Sequence, residues 1–301
     1  MGGPARISAA RPARPEGANR STPRVGLRAA RPFAVALSLA LVAVACEPPP
    51  PPPAVSGTPC KQPFTAGAVD ILNHLGFGHR LTAAVFDDRT GCWYHYRRGE
   101  RVSTASVVQT EILAGVLLRA QLQGRPLTAT EQRRIVPMMA VSDDRSANAL
   151  WSGLGGEGGM EMIGWALGLA QTDEVGPKWG LTTTTAEDQA RFTERLVQGP
   201  GILDHAHRGL AWLYLRLVRS DQRWGVTAGV PDRWQVGLKN GSAPSRCCGW
   251  RINSVGYVAD PIGGGYSIAV LSDGWPSPQV GIPVVEAVAR IVNGTISNPA
   301  P

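Results

Sequence analysis

The chain has 301 residues, room for one or two domains with an ample core. Its formal charge of +7 sits at one end: residues 1–45 hold seven arginines against one glutamate, a net +6, which leaves only +1 downstream. Nucleic-acid binding needs basic residues gathered on the folded part, and the balance of charge there argues against it.

Arg28 and Arg31 precede an apolar run from Phe33 to Ala45. That run is too short to span a bilayer and has the length of a signal-peptide core. It ends Ala43-Val44-Ala45-Cys46, and small residues before a cysteine resemble a bacterial lipobox. Lipidation of Cys46 and ordinary cleavage after Ala-Val-Ala are both compatible with the pattern. The basic stretch ahead of Val25 is long for a leader, which points to a true start near residue 25. Six prolines, Pro48 to Pro53, predict an extended polyproline segment of roughly 19 Å at about 3.1 Å per residue. The expected organisation is a signal peptide over 1–45, a Pro-rich tether over 46–59 and a folded part over 60–297. Export to the outer face of a bacterial membrane makes disulfides possible among Cys60, Cys92, Cys247 and Cys248. Three pairings exist. Adjacent cysteines lie about 3.8 Å apart at Cα, below the usual disulfide range, so a Cys247–Cys248 bond would be strained; Cys60–Cys92 is the preferred structural bridge.

Leu81 to Phe86 and Cys92 to Tyr96 flank the turn Asp87-Asp88-Arg89-Thr90-Gly91 and predict a hairpin. From Ser106 to Gln121, apolar residues recur at three- and four-residue spacing, the stripe of a half-buried helix. Further helical patterns cover 129–141, 144–153, 185–198 and 206–219. The glycine-rich stretch Gly153 to Gly159 follows no strand, and reads as an inter-helix loop rather than a phosphate cradle. Strand character returns over Trp234–Lys239, Arg251–Ala259 and Tyr266–Ser272, and Ile282–Val292 predicts a closing helix. Two strands, a helical block, three strands and a helix imply an α+β fold. The expected architecture is a five-stranded antiparallel sheet flanked by helices, built from 60–103 and 230–297, with an all-helical subdomain inserted at 104–229.

Three short motifs stand on the expected elements: Ser106-Val107-Val108-Gln109 at the start of the first long helix, Ser142-Asp143-Asp144 between two helices, and Lys239-Asn240-Gly241-Ser242 at the end of a strand. In order and spacing they resemble the S-x-x-K, S-D-N and K-T-G signatures of penicillin-recognising serine enzymes. The resemblance covers nearly all of 60–297 and is nearest to class A β-lactamase-like serine hydrolases, including actinobacterial lipoproteins. It implies Ser106 as nucleophile at the positive end of a helix, with a second oxyanion donor in the backbone N–H of Ser242. It further implies Ser142 as a proton relay and Lys239 as the attractor of a substrate carboxylate, with Asp144, Asn240, Gly241 and Ser242 lining the substrate site. The implied ligands are β-lactams or cell-wall peptide and glycan fragments, handled by a monomer with no cofactor and no metal.

Three departures weigh against turnover. The lysine of the first signature is Gln109, whose amide cannot act as a base, and loss of a positioned base typically costs about 10²–10⁴ in rate. Asp144 replaces a neutral asparagine and should repel acidic substrates, unless it turns outward to cap the next helix. No hydrolytic glutamate aligns before Thr182; Asp173 and Glu174 are the nearby acids. Two readings therefore stand: a weak serine hydrolase, and a non-catalytic envelope protein binding through the same cleft. Elsewhere, His205 and His207 are too close in sequence to share a helix face and read as surface histidines, and most of the nine tryptophans read as core.

Overall fold

In a computed structural model the described residues are 59–201, 203–245 and 247–297. The leader, Cys46 and the proline run lie outside them. The order is α1 (Ala66–Leu75), β1 (Arg80–Asp87), β2 (Cys92–Tyr96), β3 (Arg101–Ser103), then α2 (Gln109–Leu122), α3 (Ala129–Val141), α4 (Asp144–Gly153) and α5 (Gly156–Leu167). There follow β4 (Thr183–Thr185), α6 (Ala186–Val197), α7 (His205–Leu215), β5 (Gln235–Ser245), β6 (Gly249–Ala259), β7 (Gly265–Asp273) and α8 (Pro278–Ile296).

The main sheet is antiparallel in the order β2-β1-β7-β6-β5, so the two ends of the chain meet where β1 pairs with β7. Every residue of β7 is buried, because helices cover both faces: α8 packs on β6 and β7 from one side, and α6 on β1, β7 and β6 from the other. Burial on both faces produces the unbroken apolar run Ile268 to Leu271 instead of an alternating one. Cys60–Cys92 ties the incoming chain to β2, and Cys247–Cys248 is bonded as well, at the tip of the β5–β6 hairpin.

In place of the half-buried helix expected from 106, α2 lies at the centre of the helical body with α3, α5 and α7 around it. Its polar residues Gln109, Thr110 and Glu111 are buried as well as its apolar stripe. The glycine-rich stretch is only partly loop, since α5 begins at Gly156. A Cβ on Gly159 would lie 1.9 Å from the carbonyl oxygen of Leu154, so the tight α4–α5 turn requires glycine there. Three elements had no sequence signal: α1, with Leu72 as its one fully buried residue, and the paired short strands β3 and β4.

Candidate active site

Ser106 sits in a single 3-10 turn, Ala105–Val108, that runs straight into α2. It occupies neither cap position, so capping does not explain the serine. The residue before it, Ala105, has φ 48°, and Ser142, ending α3, has φ 56°. Arg97 is the third non-glycine residue with positive φ among the described residues. Left-handed backbone at a residue with a Cβ costs roughly 1–2 kcal/mol, a strain retained here at two points of one cleft.

Strand β5 lies directly against the Ser106 turn. A Cβ added to Gly241 would come within 2.6 Å of the Thr104 carbonyl oxygen and 3.0 Å of the Ser106 nitrogen, so only glycine permits this approach. The same turn is held from β6 by Asn253. Its buried Nδ2 donates to the carbonyls of Ser103 (2.8 Å) and Thr104 (3.0 Å), while its Oδ1 accepts from Ser272 N (2.9 Å). Asn240 has a comparable structural duty. Its Nδ2 donates to the carbonyls of Gln222 and Trp224, and its Oδ1 accepts from Ser254, which fastens the Asp221–Gly225 loop. That side chain is thereby committed to the fold instead of reaching toward a ligand.

Lys239 is 2% exposed. Its Nζ lies 2.5 Å from Ser142 Oγ and donates to the Asn240 carbonyl at 2.8 Å. Burial disfavours the ammonium form and brings the lysine down to about 7, against a smaller opposing pull from Asp144. A half-neutral amine with one N–H engaged by a carbonyl can turn its lone pair on Ser142. Enclosure and partial neutrality make Lys239 a poor anchor for a substrate carboxylate, the role its motif implies. Arg251, on the cleft wall, is better placed for that.

Gln109 is fully buried, and neither its Oε1 nor its Nε2 has a hydrogen-bond partner among the described residues. Two residues on, Glu111 Oε1 accepts from Gln189 Nε2 (2.9 Å), and Glu174 Oε2 accepts from Thr182 Oγ1 (2.8 Å). The other oxygens, Glu111 Oε2 and Glu174 Oε1, have no further partner, and the two carboxyls interact with each other. Burial raises both above the usual carboxylate range, the more deeply buried Glu111 further, which fits one proton shared by the pair. Glu174 is thus bound into a buried polar cluster and does not line the cleft.

The cleft encloses about 640 Å³ and is lined by Ser106, Ser142, Asp144, Ser242, Arg251 and the segment Pro177–Leu181. A smaller adjoining hollow shares Ser106, Ser142 and Ser242 and adds Asn240. Helix α4 is capped by Asp143, whose Oδ1 accepts from Ser146 N at 2.8 Å. Asp144 is therefore free of capping and faces the cleft, with Asn148 one turn on. Trp179 Nε1 donates to Asn148 Oδ1 (2.7 Å) and braces the 177–181 segment against α4. Sequence reasoning missed Arg251 and Lys178. Arg251 becomes visible only through the hairpin register that sets it opposite Ala243, next to the Ser242 pair. His207 serves Asp204, the cap of α7, and no group of histidine, cysteine or acidic side chains among the described residues could hold a metal ion. Nor is any described helix long and apolar enough to cross a membrane.

Comparison with known proteins gives one family match: residues 125–296, more than half the chain, fit the model of the beta-lactamase enzyme family. The match begins downstream of Ser106. A Mycobacterium tuberculosis protein named "Putative lipoprotein LppW" is 29% identical over 126 residues, a stretch that takes in 41% of this chain and only 40% of that protein. Among solved structures, a beta-lactamase from Desulfarculus baarsii superposes with a TM-score of 0.67 at 19% identity, covering 78% of this chain and all of that one. A class A beta-lactamase from Mycobacterium abscessus superposes at 0.64 and 23% identity, over 76% of this chain and 99% of its own. At such identities the superpositions establish the fold. With the family match beside them, they place this chain in the beta-lactamase enzyme family, with the class A fold.

Proposed function

We propose that this chain is an exported, envelope-anchored serine acyl-acceptor that reacts through Ser106 with β-lactam or peptidoglycan-like amides and releases the acyl group slowly. The observation that carries this is Lys239, a buried amine held near 7 with its nitrogen 2.5 Å from the Oγ of Ser142, which lines the same cleft as Ser106. Gln109 removes the usual base, and Lys239 acting through Ser142 supplies another. The Ser106 proton passes to Ser142 as the Ser142 proton passes to neutral Nζ. Ser106 Oγ bonds to the amide carbon, the C–N bond breaks, and the leaving nitrogen takes a proton back along the same path. Backbone N–H groups at the Ser106 turn and on β5 at Ser242 would face the developing oxyanion.

Slow release follows from the cleft wall, where Asp144 is the one carboxylate among the lining residues and Glu174 is engaged with Glu111 and Thr182. Lipid attachment at Cys46 is supported by the residues before it and by the lipoprotein name of the mycobacterial relative. A second reading, a non-catalytic envelope binding protein, is favoured by the Gln109 amide, which has no hydrogen-bond partner among the described residues. Intact mass after exposure to a fluorescent penicillin separates the two. A persistent adduct absent from Ser106→Ala supports acylation, and an unmodified wild-type protein supports binding alone.

A further inference from the structure

Three charged side chains on the cleft wall, Asp144, Lys178 and Arg251, form no ion pair with any other described residue. None of the three is neutralised by a paired side chain, although water screens the exposed Asp144 and Lys178. Asp144 opens α4 without capping it, because Asp143 holds Ser146 N. Asn148, one turn on along the same helix face, is fixed by Trp179, which braces the 177–181 segment against the helix that carries Asp144. Arg251 stands on the β6 side, paired in register with Ala243, and its buried Nε has no partner. The cleft thus carries a carboxylate on α4, an ammonium on the 177–181 segment braced against α4, and a guanidinium on the β6 side. A uniformly basic cleft would suit any anionic amide. This one penalises negative charge next to α4.

We infer that Asp144 selects zwitterionic acyl donors, amino-acid or peptide amides and their β-lactam analogues. The donor's ammonium would lie beside Asp144 and its carboxylate beside Arg251. This rests on the acyl-acceptor reading for the reaction itself, but the selection is a property of binding and is tested as binding. A neighbouring unit charge in a partly solvated cleft changes affinity by about tenfold for each charge added or removed. An ammonium at Asp144 would also weaken the pull that Asp144 exerts on Lys239, leaving more of the amine neutral when the right donor is bound.

The test uses three penicillins that differ only in the substituent next to the side-chain carbonyl: hydrogen, amine or carboxylate. Dissociation constants are measured at neutral pH and low salt for wild type, Asp144→Asn and the charge-reversed Asp144→Lys, with circular dichroism as the check on folding. Wild type should bind the amine form at least about tenfold more tightly than the carboxylate form. Asp144→Asn should compress that ratio to within about threefold, Asp144→Lys should invert it, and high salt should shrink it in wild type. Equal affinities in wild type, an unchanged ratio in both variants, or no binding by any of the three at millimolar concentration would overturn the selection. Intact mass in the same samples reads the underlying reaction separately. A ratio that follows Asp144 with no Ser106 adduct sinks acylation while supporting the selection, and adducts formed with equal affinities do the reverse.

Discussion

Replacing Lys239 by arginine keeps the charge and removes the only amine in contact with Ser142 among the described residues, since a guanidinium stays protonated throughout the accessible pH range. The size of the effect follows from burial. At its ordinary value of 10.5 a lysine is neutral in only about 3 of 10,000 molecules at pH 7, whereas at about 7 roughly half are neutral, a gain of about 1,600-fold in the basic form. Acylation of Ser106 should therefore rise about tenfold per pH unit below about 6.5 and level off above about 8. Lys239→Arg should lower the plateau by about 10²–10⁴ and abolish the inflection. The assay is the rate of adduct formation by quenched-flow intact mass between pH 5 and 9, with Ser106→Ala as blank. A flat profile in wild type, or a plateau retained by Lys239→Arg, would refute the relay.

Gln109→Leu should stabilise the protein by about 1–3 kcal/mol, read as a melting temperature several degrees higher, because it removes two buried amide atoms that have no partner among the described residues. Its acylation rate should be unchanged; a fall would mean that the amide works in the site. Glu111→Gln should flatten the pH dependence of stability. With Glu111 raised in the fold, its site holds a proton that the unfolded chain releases from about 4.5 upward, so the Glu111 contribution to stability is full in acid and is lost as pH rises through that window. Denaturant melts of the variant should show a shallower decline than those of wild type, with Asp88 and Glu194, raised by burial to about 6 and about 7, supplying the remainder; parallel curves would rule out a shared proton. Gly241→Ala should cost about 1–3 kcal/mol and lower the acylation rate by about 100-fold, since its Cβ would press on Thr104 and displace Ser106.

The elements with strong periodicity were legible in advance: α3 and α4 match their predicted bounds, and both strands of the β1–β2 hairpin were identified. Those most shaped by tertiary context were not. Three-residue β3 and β4 exist because Arg101 meets Thr185 across the chain, and α5 was masked by glycines that the α4–α5 turn requires. At the site, the motifs gave the positions of Ser106, Ser142, Asp144 and Lys239, but not their states. A lysine within a strand motif reads as a charge offered to solvent. Its near-neutral form comes from burial in the folded chain, which no local spacing records. The Glu111–Glu174 pair joins residues 63 apart in sequence (174 − 111), and the position of Arg251 depends on a hairpin register.

The chain contains three lysines, Lys61, Lys178 and Lys239, which makes one measurement direct. In protein labelled with 13C at the lysine Cε positions, one resonance should titrate with a midpoint near 7 and disappear in Lys239→Arg. If the resonance lost in that variant instead titrates above pH 9 in wild type, Lys239 is an ordinary ammonium at neutral pH, and Ser106 has no base.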